Sequence, residues 1–217
     1  MGQSRFASSS HLPPLPFVSH PWSLVHKLPV VLYNAAMERI LFDGRPYIHP
    51  ASLADMAQRM ITVGSASKEY RMIGWRVGWV VGPATIMSDI ARVHIYNAVT
   101  PTGIAQSGAC VALQSPGEDV AACVAEWQRR RDIICEQLKD FPLFPAAGGW
   151  SMLLDVAALG YDSFTASRRL LELGKIAATP MRDWGEVNGD QFVRLVFSNE
   201  PVERLATMRQ HIACVFA

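Results

Sequence analysis

The chain has 217 residues, half of them hydrophobic, with 20 basic and 19 acidic side chains and a net charge of +1. That length and apolar content can supply a sizeable core, for one large domain or two small ones. A charge so close to balance gives no reason to invoke nucleic acid or an anionic membrane surface as partner, and no apolar run reaches the roughly 18 residues of a membrane span.

Cys110, Cys123, Cys135 and Cys214 include no C-x-x-C pair, so neither a zinc site nor a disulfide scaffold is expected. They read as free, mostly buried thiols of a reducing compartment. No metal site is expected.

Residues 1–29 contain no acidic side chain, are rich in Ser, Pro and His, and show no helical or strand period, which reads as a disordered or atypical leader. Pro13, Pro14, Pro16 and Pro21 oppose the amphipathic helix of a transit peptide. Residues 30–33, Val-Val-Leu-Tyr, suit a short buried strand. Ser52 can cap a helix that places Leu53, Met56, Ala57 and Met60 on one face, and residues 61–63 read as a second strand ending at Gly64. A third strand over 75–81 closes at Gly82-Pro83. Strand, helix, strand at these spacings argues α/β.

Val120, Cys123, Val124, Trp127, Ile134 and Leu138 recur at helical spacing, giving a helix of about six turns that could bridge two domains. After it come a strand over 149–156, a helix over 163–173 with Gly174 past its end, a strand over 192–197 and a closing helix over 202–215. The expected organisation is a leader (1–29), an α/β unit (30–118), and a bridging helix with a small α+β unit (119–217).

Residues 65–78 read S-A-S-K-E-Y-R-M-I-G-W-R-V-G. Two hydroxyls, an amine and a guanidinium fall between a strand end and the next strand, where α/β proteins place ligands. A lysine that forms a Schiff base must lose its proton, which neighbouring cations such as Arg71 and Arg76 favour. A phosphate dianion wants hydroxyl donors and a forked arginine, which Ser65, Ser67 and Arg76 can supply.

The pattern S-x-S-K-x-x-x-x-x-G-W-R-x-G resembles the fold-type I pyridoxal-phosphate (PLP) aminotransferases of class I/II. The likeness extends to Glu38-Arg39-Ile40-Leu41-Phe42-Asp43-Gly44, to residues 100–113, to Gly148-Gly149-Trp150-Ser151-Met152 and to Val193-Arg194-Leu195-Val196-Phe197-Ser198. It implies a partial large PLP-binding domain with a mixed, mostly parallel sheet, plus a small α+β domain. It also implies that Lys68 forms the Schiff base, that Ser65, Ser67 and Arg76 hold the phosphate, and that Arg194 binds the substrate α-carboxylate. The implied cofactor is pyridoxal 5'-phosphate, and the implied substrates are an amino acid and a 2-oxo acid. A cytoplasmic homodimer, or association with a full-length aminotransferase, is the implied setting.

Two positions depart from that pattern. Asn34 stands where the family has the aspartate that faces the pyridine nitrogen, and Met37 replaces a tyrosine. An amide can hydrogen-bond the ring nitrogen but cannot hold its positive charge. The family's phosphate-cup glycines, ring-stacking aromatic and cofactor-binding asparagine find no match in residues 1–29. A non-catalytic aminotransferase-like protein and a PLP-dependent lyase on the same scaffold therefore stand beside the transaminase reading.

Overall fold

The computed structural model describes residues 30–216, so the expected leader lies outside the described residues. Strand β1 (Val31–Asn34) pairs in parallel with β2 (Met60–Ser65), Val31 opposite Met60 and Asn34 opposite Val63. Strand β3 (Gly78–Val81) runs antiparallel to β2, with Ser65 opposite Gly78. The result is a three-stranded mixed sheet in the order β1-β2-β3.

β1 is not the buried strand its composition suggests. It is an edge strand, and Leu32 is 71% exposed on a face that no described residue covers. The helix expected from Ser52 does not form either. Pro50–Ser52 make a single 3-10 turn, and the His49 ring, rather than Ser52, accepts the Ala51 N–H at 3.0 Å. Asp55 then takes a left-handed φ of 61°, which breaks the helical path, and Leu53 stays in solvent. The third strand begins at Gly78 rather than at 75. Ile73–Trp75 form another 3-10 turn, and Arg76, at φ 51°, swings the chain round before pairing starts.

Helices α1 (Ala84–Ala98) and α2 (Gly103–Gln114) follow. α1 carries no buried residue, and Val93, Ile95 and Tyr96 face solvent, so its apolar side chains mark no inward stripe that periodicity could detect. α2 contributes Ala105 and Ala109 to a small cluster with Ala66, Met72 and Val77.

The long helix α3 (Glu118–Gln137) starts at Gly117, and Glu118 and Asp119 in its first turn complement the helix dipole. Beyond it lie β4 (Leu143–Phe144), β5 (Ser151–Asp155), α4 (Ser163–Glu172), β6 (Thr179–Pro180), β7 (Phe192–Val196), α5 (Val202–Leu205) and α6 (Met208–Phe216). The four strands form an antiparallel sheet in the order β4-β5-β7-β6. Asp162 caps α4 by accepting the Thr165 N–H at 2.9 Å. The single closing helix expected over 202–215 is broken after Ala206, where the Thr207 hydroxyl donates back to the Arg204 carbonyl at 3.0 Å.

Leu138 at the C-cap of α3, Leu154 of β5, Leu170 of α4, Val193 of β7 and Ile212 of α6 make the main core, all sealed from solvent. Ile40 and Phe42, which precede β2 in the chain, belong to this core as well. Backbone bonds clip them there: Phe42 N–H to the Ala147 carbonyl at 3.0 Å and Gly149 N–H to the Ile40 carbonyl at 2.9 Å, around a Leu41–Gly148 bridge. Gly148 is required for that approach, since a Cβ there would lie 2.2 Å from the Ile40 carbonyl oxygen. Arg131 stacks over Phe42 at 5.1 Å, pairs with Asp43 and donates to the Ala146 carbonyl at 3.1 Å.

All four cysteines are unpaired thiols, but they are not mostly buried. Cys110 and Cys214 are exposed, because they lie on outward faces of α2 and α6, while Cys123 and Cys135 are partly covered. No described helix is long and apolar enough to cross a membrane, and the described residues hold no group of His, Cys, Asp or Glu arranged for a metal.

Candidate functional site

The loop after β2 closes on itself. Ala66 N–H donates to the Val77 carbonyl at 3.2 Å and Met72 N–H to the Ala66 carbonyl at 3.3 Å, while the buried Ala66 and Met72 pack on the alanines of α2. This holds Ser67 and Lys68 just beyond the carboxyl end of β2, where ligands gather in open α/β sheets. The Ser65 hydroxyl accepts the Ser67 N–H at 3.1 Å. The left-handed turn at Arg76 folds its guanidinium back, so that Nη1 donates to the Ile73 carbonyl at 2.7 Å and reaches the Ser67 hydroxyl at 3.4 Å. Two hydroxyls and a guanidinium thus gather within one turn of chain.

The Lys68 Nζ lies 3.7 Å from the centre of the Trp150 indole. Burial first, and then the positive charge of Arg76, hold its amine below the usual lysine range. Next to it, Glu69 is buried and accepts the Arg39 N–H at 2.7 Å, and burial pushes its carboxyl above the ordinary range. Arg39 also donates to the Tyr70 hydroxyl at 3.0 Å. A cleft of about 660 Å³ opens between this loop and the carboxy-terminal unit, lined among others by Ser67, Lys68, Arg71, Cys123, Trp127 and Trp150. A smaller cavity of about 280 Å³ lies within the carboxy-terminal unit and contains none of the candidate residues.

The remaining candidates stand apart from Lys68. Asn34 ends β1 in solvent, and its side-chain oxygen accepts the Ala36 N–H at 3.1 Å. Arg194 lies mid-strand in β7, opposite Leu153 and Thr179, outside the lining of the Lys68 cleft. Its guanidinium stacks 4.4 Å over Trp184, and its Nε is buried without a hydrogen-bond partner among the described residues. Trp150 and Glu69 are site residues that the sequence does not mark, and Arg71 is marked there only as a nearby charge. Trp150 touches Lys68 only through the clip at residues 40–42 and 147–149, a long-range contact with no local signature. Arg71 carried a signal only in its backbone, a left-handed φ of 55° on a non-glycine residue.

A depressed amine beside two hydroxyls and a forked cation can bind a phosphorylated carbonyl compound, with the amine adding to the carbonyl carbon. Comparison with known proteins points the same way. The family model described as "Aminotransferase class I and II" matches residues 32–212. The arginine–pyruvate transaminase of Pseudomonas aeruginosa is 34% identical over 176 residues, which cover 79% of this chain and 44% of that protein. An aspartate aminotransferase of Pyrococcus abyssi is 28% identical over 173 residues, covering 78% and 44%. Among solved structures, the aromatic aminotransferase from Pyrococcus horikoshii superposes with a TM-score of 0.80 at 26% identity, over 88% of this chain and 52% of that one. The N-succinyldiaminopimelate aminotransferase of Mycobacterium tuberculosis gives 0.77 at 27%, over 87% and 50%. The chain spans about half the length of the relatives it matches.

Proposed function

The chain belongs to the class I and II aminotransferase family, and from that premise we propose that it is a PLP-dependent aminotransferase moving an amino group between an amino acid and a 2-oxo acid. The observation that carries this reading is the donor set after β2: the Arg76 contact to the Ser67 hydroxyl, with Ser65 beside it, next to an amine that burial and Arg76 hold below its usual range. That set fits the phosphate and the aldehyde of PLP. Asn34, whose side-chain oxygen accepts the Ala36 N–H, has only its amide N–H groups left for the ring nitrogen and no carboxylate to hold that nitrogen's positive charge.

Bound here, PLP would supply an aldehyde and an electron-withdrawing ring. Ser65, Ser67 and Arg76 would hold the phosphate. Lys68 Nζ would hold the aldehyde carbon, the carbonyl oxygen leaving as water, and as a free amine would carry the proton from the substrate Cα. Arg194 would fork onto the substrate carboxylate, and its unpartnered buried Nε supports that role. The cytoplasm is the proposed compartment. The apolar side chains left in solvent on β1, α1 and α2 support association with a second copy or with a full-length aminotransferase.

Titrating the purified chain with PLP is expected to produce the visible absorption band of a lysine-bound cofactor, and Lys68→Ala is expected to abolish it. A chain that gives no such band sinks the reading. The exposed amide of Asn34 favours a second reading, a non-catalytic aminotransferase-like protein. Turnover of an amino acid with a 2-oxo acid excludes it, and recovery of pyruvate and ammonia in place of a new amino acid marks a lyase.

A further inference from the structure

We infer that Trp150 is the positioning residue for the Lys68 side chain: its indole face is the resting place of the ε-ammonium whenever that nitrogen is not covalently engaged. The inference rests on the reading of Lys68 as the cofactor-linking lysine. The contact itself is direct, with Nζ 3.7 Å from the ring centre, well inside the roughly 6 Å over which an aromatic face attracts a cation.

Trp150 is fixed from both sides. Gly149 N–H bonds the Ile40 carbonyl at 2.9 Å, and Phe197 N–H bonds the Trp150 carbonyl at 3.0 Å, so the residue is set between the clip and the β5–β7 pair. The indole is partly buried against the main core.

Among the described residues no carboxylate forms an ion pair with Lys68. The charged groups around it are Arg71, Arg76, Arg130, Asp119 and Glu126. Three of these are cations, Glu126 is occupied by Arg129 and Arg130, and Asp119 makes no ion pair among the described residues. A carboxylate partner would lock the proton on the amine. A π face holds the ammonium more weakly and the neutral amine hardly at all, which suits a nitrogen that must alternate between the two. Lys68 and Trp150 belong to opposite sides of the cleft, so the charge on the lysine also favours keeping those sides together.

The test measures Lys68 titration in the full chain without cofactor, by pH-dependent competitive acetylation read by peptide mass spectrometry, with Lys139 and Lys175 as internal references. In Trp150→Leu, which keeps an apolar cover but removes the π face, the Lys68 pKa is expected to fall by about one unit, giving about tenfold more free amine near neutrality. Trp150→Phe is expected to recover about half of that shift. To avoid dependence on a folded variant, the wild-type chain is also grown on 5-fluoro- and 5,7-difluorotryptophan, which drain the ring face without changing its shape, and the pKa is expected to fall stepwise. A Lys68 titration indifferent to ring fluorination overturns the inference, as does an unchanged or raised pKa in Trp150→Leu. Neither measurement needs PLP, so a missing absorption band and a missing titration effect are separate failures.

Discussion

Phe42→Ala removes a side chain with no solvent exposure from a core to which it is remote in sequence. Deleting a buried phenylalanine typically costs about 3–5 kcal/mol, through lost transfer free energy and the cavity left behind. Here the loss includes the ring that packs on Phe197 at 6.4 Å and the platform under the Arg131 guanidinium. Against a total stability on the order of 5–15 kcal/mol this is a large share, and at about 2–4 °C per kcal/mol for a chain of this size the melting temperature should drop by about 10 °C. Native-state hydrogen exchange at Leu154, Val193 and Leu195 gives a local readout, because these amides lie in the β5–β7 pair that Phe42 covers. They should lose protection by the full amount. Phe42→Leu, which keeps much of the apolar volume, should lose clearly less. If Phe42→Ala lowers protection in β5 and β7 by less than about 1 kcal/mol, Phe42 is not a member of that core and the clip does not unite the two units.

Gly148→Ala forces a methyl group onto the Ile40 carbonyl and should destabilise by about 1–3 kcal/mol in chemical denaturation; an unchanged midpoint would show that the clip is slack. Glu69 has a folded-state pKa raised above its ordinary value of 4.5, so its contribution is fully present below that value and is lost as pH rises through the folded one. Glu69→Gln keeps an acceptor for the Arg39 N–H and should therefore gain melting temperature relative to wild type as pH rises above 4.5, whereas a constant gap would contradict the burial argument. Asn34→Asp retains the oxygen that accepts the Ala36 N–H, so folding should change by less than about 0.5 kcal/mol. On the proposed reading the same variant should bind PLP more tightly in an absorbance titration.

Much of the fold was legible wherever the pattern was local. The 3.6-residue apolar stripe marked α3, Gly174 marked the end of α4, and strands are expected within a few residues of where β2, β5 and β7 form. The local reading failed where backbone conformation decided the outcome. Asp55 in the left-handed region breaks the helix that Ser52 promised, Arg76 delays β3, and α1 buries no side chain and so carries no inward stripe. Burial was overestimated for β1, since composition cannot say which face of a strand a neighbour will cover.

The site divides along the same line. The donor set was readable from the chain order alone, because Ser65, Ser67, Lys68 and Arg76 lie within one short stretch and their chemistry follows from residue type and spacing. What faces the lysine depends on folding at long range. Trp150 is more than eighty residues away in the chain, and it reaches Lys68 because Ile40 and Phe42 are drawn into the carboxy-terminal core and pull residues 147–149 alongside them. Burial of two side chains and a pair of backbone hydrogen bonds across that distance carry no local sequence signal, yet they set the surroundings in which the amine must gain and lose its proton.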